Sequence, residues 1–341
     1  MIDQAQSIIS YSWTPQLEGD DLDQVLALVT AASEYDDEAG FAQIDPADVA
    51  SVGTTGIRVL HLPIRARRDL NPIDDVPLVV VAYLRLAIGA GGLAAVSYVV
   101  HPDYRSRGLT TLLVEQLGLD VDAAEGWDRT GASALRCWAY STHPAAERLT
   151  RRFGVGAIAE QWGLARPLSG PFALPLEAPV PSAGITLGAP RALGADIEDL
   201  VRVLDSASVP QAHRDRLTSD LRRGTGVIID ARDETGTVLG FVWYSTTTTI
   251  HLELRAAPVF ALILDTAATG RGLGSTLLAA AMIDQRDNPP AGERGAQVSL
   301  LRINPEDQAA VRMCRLLGYE QEDSDTCYQV GHTDQPAPVL G

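Results

Sequence analysis

Two glycine-bearing stretches recur in this chain at one offset. Arg105-Ser106-Arg107-Gly108-Leu109-Thr110 returns as Thr269-Gly270-Arg271-Gly272-Leu273-Gly274, and Arg152-Phe153-Gly154 returns as Leu316-Leu317-Gly318, each pair 164 residues apart. Gly108 and Gly154 are therefore separated by the same 46 residues as Gly272 and Gly318. Two landmarks with equal spacing in both halves mark a duplicated domain. Its partition reads as a first domain over 1–165, a linker over 166–184, a second domain over 185–332 and a short tail over 333–341. The linker assignment rests on Pro167, Pro171, Pro175, Pro179 and Pro181, a density that prevents helix and interior strand alike.

The 341 residues suit two ordinary domains, and 46% hydrophobic content supplies apolar surface for two cores. With 44 acidic against 27 basic side chains, the net charge of -17 argues against nucleic acid and anionic membrane as partners. No cationic start with an apolar core opens the chain, and no apolar run is long enough to span a bilayer. Cys137, Cys314 and Cys327 are odd in number and far apart, which suits a reducing compartment, so the cytoplasm is the expected location. Six scattered histidines and no paired Cys or His at ligand spacing predict no metal site.

Hydrophobic spacing predicts a helix over Asp21–Ala32, followed by a polar, proline-marked segment. Leu78–Leu86 and Ala94–Val100 read as neighbouring strands joined through Gly89, Gly91 and Gly92. A helix with Gly108 in its first turn, a strand over Cys137–Tyr140 and a helix over Pro144–Arg152 complete the first half. The second half repeats the order: helix Ala195–Leu204, strands Gly226–Asp230, Val238–Tyr244 and Val259–Leu264, a helix carrying Leu273, Leu277 and Leu278, strand Val298–Ile303 and helix Asp307–Leu317. The predicted class is α/β, two tandem domains each built on a mixed sheet with helices on both faces.

The glycine turns suggest an anionic ligand. At a helix start the first N–H groups are unpaired and the dipole end is positive, so a glycine entry lets an anionic oxygen approach them. Arg105, Arg107 and Arg271 add cations. A nucleoside-triphosphatase loop needs Lys followed by Ser or Thr after its last glycine, which neither half has, and Gly270, Gly272 and Gly274 give GxGxG rather than GxGxxG.

The unit from Val99 to Gly108 resembles the pyrophosphate-binding motif of the GCN5-related N-acetyltransferases, and Leu264 to Gly274 resembles a second copy. With Asp307-Gln308-Ala309-Ala310-Val311-Arg312 before Leu317-Gly318-Tyr319, and then Asp325-Thr326-Cys327-Tyr328, nearly the whole chain is similar to the tandem mycothiol synthase family. The resemblance implies acetyl-CoA as donor and the cysteine amine of a cysteinyl-glucosaminyl-inositol, a small thiol-sugar, as acceptor. This would be the last step of mycothiol biosynthesis in an actinobacterial cytoplasm. It also implies chemistry in the C-terminal half and a mainly CoA-binding, structural first half. Leu262, Ile263 and Leu264 would bind the acyl-pantetheine arm, and Thr269, Gly270, Arg271, Gly272, Leu273, Gly274 and Ser275 the pyrophosphate, with Asp307 and Arg312 alongside. Tyr98, Val99, Val100, Ser106, Arg107, Gly108, Leu109, Thr110 and Thr111 would do likewise in the first half. The chain is expected to act as a monomer.

Several positions depart from the family pattern. Pro258 stands where a carboxylate base is expected, Cys314 where a tyrosine proton donor is expected, Thr269 for Gln or Arg, Thr110 for a small residue and Ser245 for a lysine. Glu253 could substitute as base through a water, or be an exposed strand glutamate. Cys314 could protonate the departing thiolate, its unperturbed pKa being near that of a thiol, or simply pack in the helix. Glu38, within Asp36-Asp37-Glu38, could face the cationic amine of the substrate, or belong to a solvated loop. Acetyltransferases acting on another small amine, and a non-catalytic CoA-binding tandem domain, remain alternatives at this point.

Overall fold

A computed structural model describes residues 8–36, 44–67, 77–142, 144–194, 197–209 and 211–335. Two compact units emerge: one comprises residues 1–159 and 325–335, the other 160–324 and 336–341. These are not the two halves cut at the proline-rich segment, and the difference lies in two long strands.

The first half runs β1 (Ile9–Tyr11), α1 (Gly19–Asp36), α2 (Pro46–Val49), β2 (Ile57–Arg67), β3 (Leu78–Gly89), β4 (Leu93–Val100), α3 (Leu109–Leu117), β5 (Ala134–Ala139), α4 (Pro144–Phe153) and β6 (Gly156–Pro167). The second runs β7 (Ile185–Leu187), β8 (Arg191–Ala192), α5 (Glu198–Ser206), α6 (Gln211–Arg223), β9 (Val227–Asp233), β10 (Val238–Tyr244), β11 (Thr249–His251), β12 (Leu254–Leu264), α7 (Leu273–Asp287), β13 (Val298–Ile303), α8 (Gln308–Leu316) and β14 (Glu320–Gly331).

In the first unit β1 to β4 pair antiparallel in sequence order, and β4 pairs parallel with β5. One sheet face packs with Leu109 and Leu113 of α3, the other with Val25, Leu28 and Val29 of α1. Those α1 residues recur at helical spacing and so present one apolar stripe. In the second unit β9, β10 and β12 pair antiparallel, and β12 pairs parallel with β13. Its sheet packs with Leu277, Leu278 and Met282 of α7 on one face and Leu200, Leu204, Leu217 and Leu221 of α5 and α6 on the other. Each unit is thus a mixed sheet covered by helices on both faces, the class read from the sequence.

The last strand of each half completes the other half's sheet. Thr326–Gly331 of β14 pair antiparallel with Ala139–Ala134 of β5, while Trp162–Pro167 of β6 pair antiparallel with Ile303–Val298 of β13. The proline-rich segment is correspondingly more than a tether. Leu168 is buried and donates its N–H to the Gln297 carbonyl, Leu176 packs on the second core, and Ser182 Oγ donates to the Arg271 carbonyl.

Local readings differ at three places. Strand β2 occupies the segment read as polar and proline-marked; Pro63 is accommodated opposite Tyr83 within it. Helix α6 went unread because Leu217 and Leu221 are its core-facing leucines in an otherwise charged stretch. The 12-residue strands β6 and β14 are mixed in polarity, and their partners lie in the opposite half of the chain.

Candidate functional site

The glycine turns have the same backbone in both halves. Ser106 and Gly270 lie at φ 60° and 77°, and Gly108 and Gly272 at φ 80° and 74°, so left-handed residues alternate with ordinary ones. This alternation turns successive N–H groups into an anion-binding concavity. Gly108 and Gly272 are the N-cap residues of α3 and α7, and neither helix start receives a side-chain cap. A Cβ at Gly108, Gly270 or Gly272 would meet open space. The first-turn donors, including those of Leu109, Thr110 and Thr111 and of Leu273, Gly274 and Ser275, therefore face no competing carboxylate or hydroxyl of the cap residue. These loops fit a diphosphate.

Beside each turn the parallel strands part. Leu93–Val96 pair with Ala134–Cys137, and Ala256–Val259 with Val298–Leu301, but the parallel register stops there. Residues Tyr98, Val99 and Val100, and Leu262, Ile263 and Leu264, keep their antiparallel neighbours on one edge and have no parallel partner among the described residues on the other. An extended chain with amide groups can lie along such an edge.

The two halves then diverge. In the second, Trp243 pairs with Ala261 and Tyr244 with Val259, so Phe260 is an extra residue, a β-bulge at the mouth of the opening. Bulges re-aim backbone groups and occur beside active sites. The side-chain faces confirm the slip: Val259, Leu262 and Leu264 belong to the α7 face, whereas Ala261 and Ile263 belong to the α5 and α6 face. The first half has an unbroken register from Ala82↔Val100 to Ile88↔Ala94.

Gly274 is buried, and a Cβ there would stand 3.0 Å from Met313 Sδ and 3.5 Å from Leu264 Cδ1. The corresponding first-half position carries Thr110, whose hydroxyl is 3.1 Å from that of Tyr98. Burial pushes the Tyr98 phenol up to about 12, so it is a neutral hydrogen-bonding partner. Arg105 is held away from a ligand role: its fork donates to both carboxylate oxygens of buried Asp36 at 2.5 and 2.8 Å, and its Nε donates to the Val100 carbonyl at 3.1 Å. Arg107 lies over the Tyr104 ring, and Arg271 and Arg312 are exposed.

No protein-family model matches the sequence. The chain is 30% identical to the mycothiol acetyltransferase of Mycobacterium sp. (strain JLS) over 333 residues, covering 94% of this chain and 98% of that protein. It is also 30% identical to the mycothiol acetyltransferase of Salinispora arenicola (strain CNS-205), over 93% and 95%. The chain belongs to the mycothiol acetyltransferase family. A tandem GNAT protein from the clavulanic acid biosynthesis pathway, solved without acetyl-CoA, superposes with TM-score 0.65 at 18% identity over 95% of this chain and all of that one. A GCN5-related N-acetyltransferase from Sphaerobacter thermophilus superposes with TM-score 0.57 at 16% identity over 94% and 95%.

This member of the mycothiol acetyltransferase family is an N-acetyltransferase of tandem GCN5-related fold. Enzymes of that class use acetyl-CoA, and the uncapped glycine turns with their open strand edges fit it. No cluster of three or more metal-ligating side chains occurs among the described residues, and no helix among them is long and apolar enough to cross a membrane.

Three residues singled out from the sequence take other places. Glu253 is exposed at the tip of the β11–β12 hairpin, where Leu252 and Glu253 both have positive φ, 46° and 64°. Five residues lie between it and Val259, six steps of strand or about 20 Å, too far for a base acting through one water. Cys314 is 1% exposed in the second core, and burial, with the Asp307 charge adding to it, pushes its thiol up to about 12. It is a packed core thiol. Asp307 caps α8, its Oδ1 accepting the N–H groups of Ala309 and Ala310 at 3.0 Å each, so its carboxylate is engaged within the chain. Glu38 lies outside the described residues. What sequence reading missed is the bulge at Phe260; Pro258 inside a strand was its signal, because proline in sheets concentrates at edges and bulges.

Proposed function

We propose that the second half transfers the acetyl group of acetyl-CoA to the cysteine amine of a cysteinyl-glucosaminyl-inositol, the last step of mycothiol biosynthesis. The observation that carries the location is the bulge at Phe260 beside the glycine turn of α7, absent from the first half. The acceptor rests on the named relatives matched along nearly the full chain.

The uncharged amine attacks the thioester carbonyl carbon, the carbon–sulfur bond breaks, the amine nitrogen gives up a proton and the departing thiolate takes one. A backbone N–H at the bulge would hold the carbonyl oxygen as negative charge develops on it, and such preorganised donors are worth roughly 10²–10³ in rate. The first-turn N–H groups of α7 would hold the diphosphate, and the free edge of Leu262–Leu264 the pantetheine amides. The first half, with Arg105 bound to Asp36, would bind acetyl-CoA and support the fold.

A second reading, an acceptor other than this thiol-sugar, is favoured by Pro258 and buried Cys314 at positions where the family carries its base and acid. The test follows free-thiol release from acetyl-CoA with and without the cysteinyl-glucosaminyl-inositol, and the product by mass. Acceptor-dependent release with an acetyl mass gain on the cysteine amine supports the first reading. Release that depends on another amine, and not on this one, supports the second.

A further inference from the structure

Two adjacent residues in the last turn of α7 grip both strands at the base of the bulge. On β10, Tyr244 Oη donates to Asp284 Oδ2 at 2.6 Å, and Asn288 Nδ2 donates to Asp284 Oδ1 at 2.8 Å. On β12, Gln285 Nε2 lies 3.1 Å from the Ala257 carbonyl and 3.2 Å from those of Pro258 and Ser245. Tyr244 and Gln285 are fully buried and Asp284 nearly so. Tyr244 pairs with Val259, the last residue before the bulge, and Pro258 precedes that residue. On the Val259 side of the bulge both strands are therefore fixed to one helix.

The chemistry at Gln285 is uneven in an informative way. Its amide protons are shared among three carbonyls, while its Oε1 is buried with no partner. Leaving an acceptor unsatisfied in the interior costs roughly 1–3 kcal/mol. The carbonyl of Pro258 does not need Gln285 for satisfaction, since the Ser245 N–H already donates to it at 2.9 Å. Pro258 has no N–H to return to the Ser245 carbonyl, and Gln285 Nε2 supplies a donor there at 3.2 Å, so the glutamine holds both sides of this proline pairing while its own Oε1 carries a local cost.

The first half supplies an internal comparison. Its helix α3 ends at Leu117, and the positions 164 residues before Asp284 and Gln285 are Asp120, whose carboxylate accepts the Asp122 N–H, and buried Val121. Asp120 and Val121 do not make this pair of contacts, and the pairing of β3 with β4 has no bulge.

We infer that Gln285 is a positioning residue for acetyl transfer: by holding the Ala257 and Pro258 carbonyls it fixes where the bulge aims the N–H that receives the thioester oxygen. This rests on the reading that the second half carries the chemistry. Displacing a reacting or stabilising group by about 1 Å costs up to 10²-fold in rate.

The test compares Gln285→Met and Gln285→Glu with the unaltered full-length chain. Gln285→Met removes the donor and the unsatisfied oxygen together at similar volume. It is expected to keep its KM for acetyl-CoA while kcat falls roughly 10- to 100-fold. In Gln285→Glu a carboxylate cannot donate to the carbonyls but its protonated form can, so kcat relative to the unaltered chain should recover as pH falls. Infrared difference spectra of bound acetyl-CoA carrying ¹³C in its carbonyl give a readout independent of any acceptor. The carbonyl band should be lowered in frequency by the unaltered protein and return towards its free value in Gln285→Met. Equal kcat and an equal band shift in Gln285→Met would overturn the inference, as would a kcat loss matched by losses of melting temperature and of acetyl-CoA binding. If the thiol-sugar is not turned over yet the band shift is present and lost in the variant, the acceptor assignment fails and the positioning role stands.

Discussion

Replacing Gly272 with aspartate places a negative charge at the mouth of the α7 turn without a steric conflict, since a Cβ there meets open space. Gly272 sits at φ 74° and ψ 2°, so the new side chain must occupy the left-handed region, at a cost of roughly 1–2 kcal/mol. That predicts a melting temperature about 2–8 °C lower. The carboxylate does not gain the usual capping energy, which is realised from extended backbone at the N-cap. Against a diphosphate oxygen about 4 Å away, two like charges repel by about 4 kcal/mol at an effective dielectric of 20. Salt screening at this exposed site reduces the figure, and about 2–4 kcal/mol corresponds to a KM for acetyl-CoA raised roughly 30- to 1,000-fold. Initial rates of thiol release across acetyl-CoA concentrations measure it, with Gly108→Asp as the matched change in the first half. Gly108→Asp should leave most of the turnover in place. Unchanged KM and kcat in Gly272→Asp, together with loss of turnover in Gly108→Asp, would refute the placement of chemistry in the second half.

Cys314→Ala should lower kcat by less than about tenfold, where a general acid would be worth roughly 10²–10⁴, and Glu253→Gln should leave it unchanged; steady-state rates decide both. Tyr244→Phe removes a buried hydrogen bond to a carboxylate, worth about 1.5–3 kcal/mol, and should lower the melting temperature by roughly 3–12 °C in a calorimetric scan. His213 is buried with its Nδ1 unpaired, and burial, aided by the nearby Arg216 charge, lowers its pKa to about 4 from 6.5. The unfolded chain therefore binds the proton more readily. Its contribution is fully present above pH 6.5 and is lost as pH falls towards 4, so His213→Leu should flatten the fall in stability, read by denaturant unfolding, across that window.

The fold was legible where the signal is local. A glycine needing positive φ at a helix entry repeats as Gly108 and Gly272, and Val298–Ile303 is a strand with the bounds its apolar run suggested. The exchange of β6 and β14 was not legible, because pairing of Tyr328 with Cys137 and of Arg166 with Ser299 depends on surfaces far apart in sequence. At the site, the glycine turns could be read from residue types, whereas the role of Glu253 could not. A carboxylate near a motif in sequence can sit a strand's length away in space, as the hairpin tip places this one. Asp284 and Gln285 gave no sequence signal, since a helix's last turn often carries polar residues, and only their burial against Tyr244 and the Pro258 carbonyl distinguishes them.

The duplicated turns, and a bulge at Phe260 that the pairing of β3 with β4 does not share, together explain why two copies of one motif need not be two active sites. Both turns keep the left-handed backbone and the uncapped helix start that an anion requires, so diphosphate binding is compatible with either copy. Acetyl transfer asks for a further element, a donor aimed at the thioester oxygen, and that depends on strand register rather than on the turn. In the first half Arg105 joins Asp36 to the Val100 carbonyl, and Tyr98 meets Thr110, stabilising β4 in regular pairing. In the second half the corresponding Thr269 bonds within its own turn, to the Thr266 carbonyl, and Gly274 lets α7 close on Leu264 and Met313. The longer α7 then reaches the base of β10 and β12 with Asp284 and Gln285. Yet the halves remain dependent on one another, because each sheet is finished by a strand from the other half. The first half, whose β3 and β4 pair without a bulge, supplies β6 to the second unit's sheet, the one to which we assign the chemistry as a proposal.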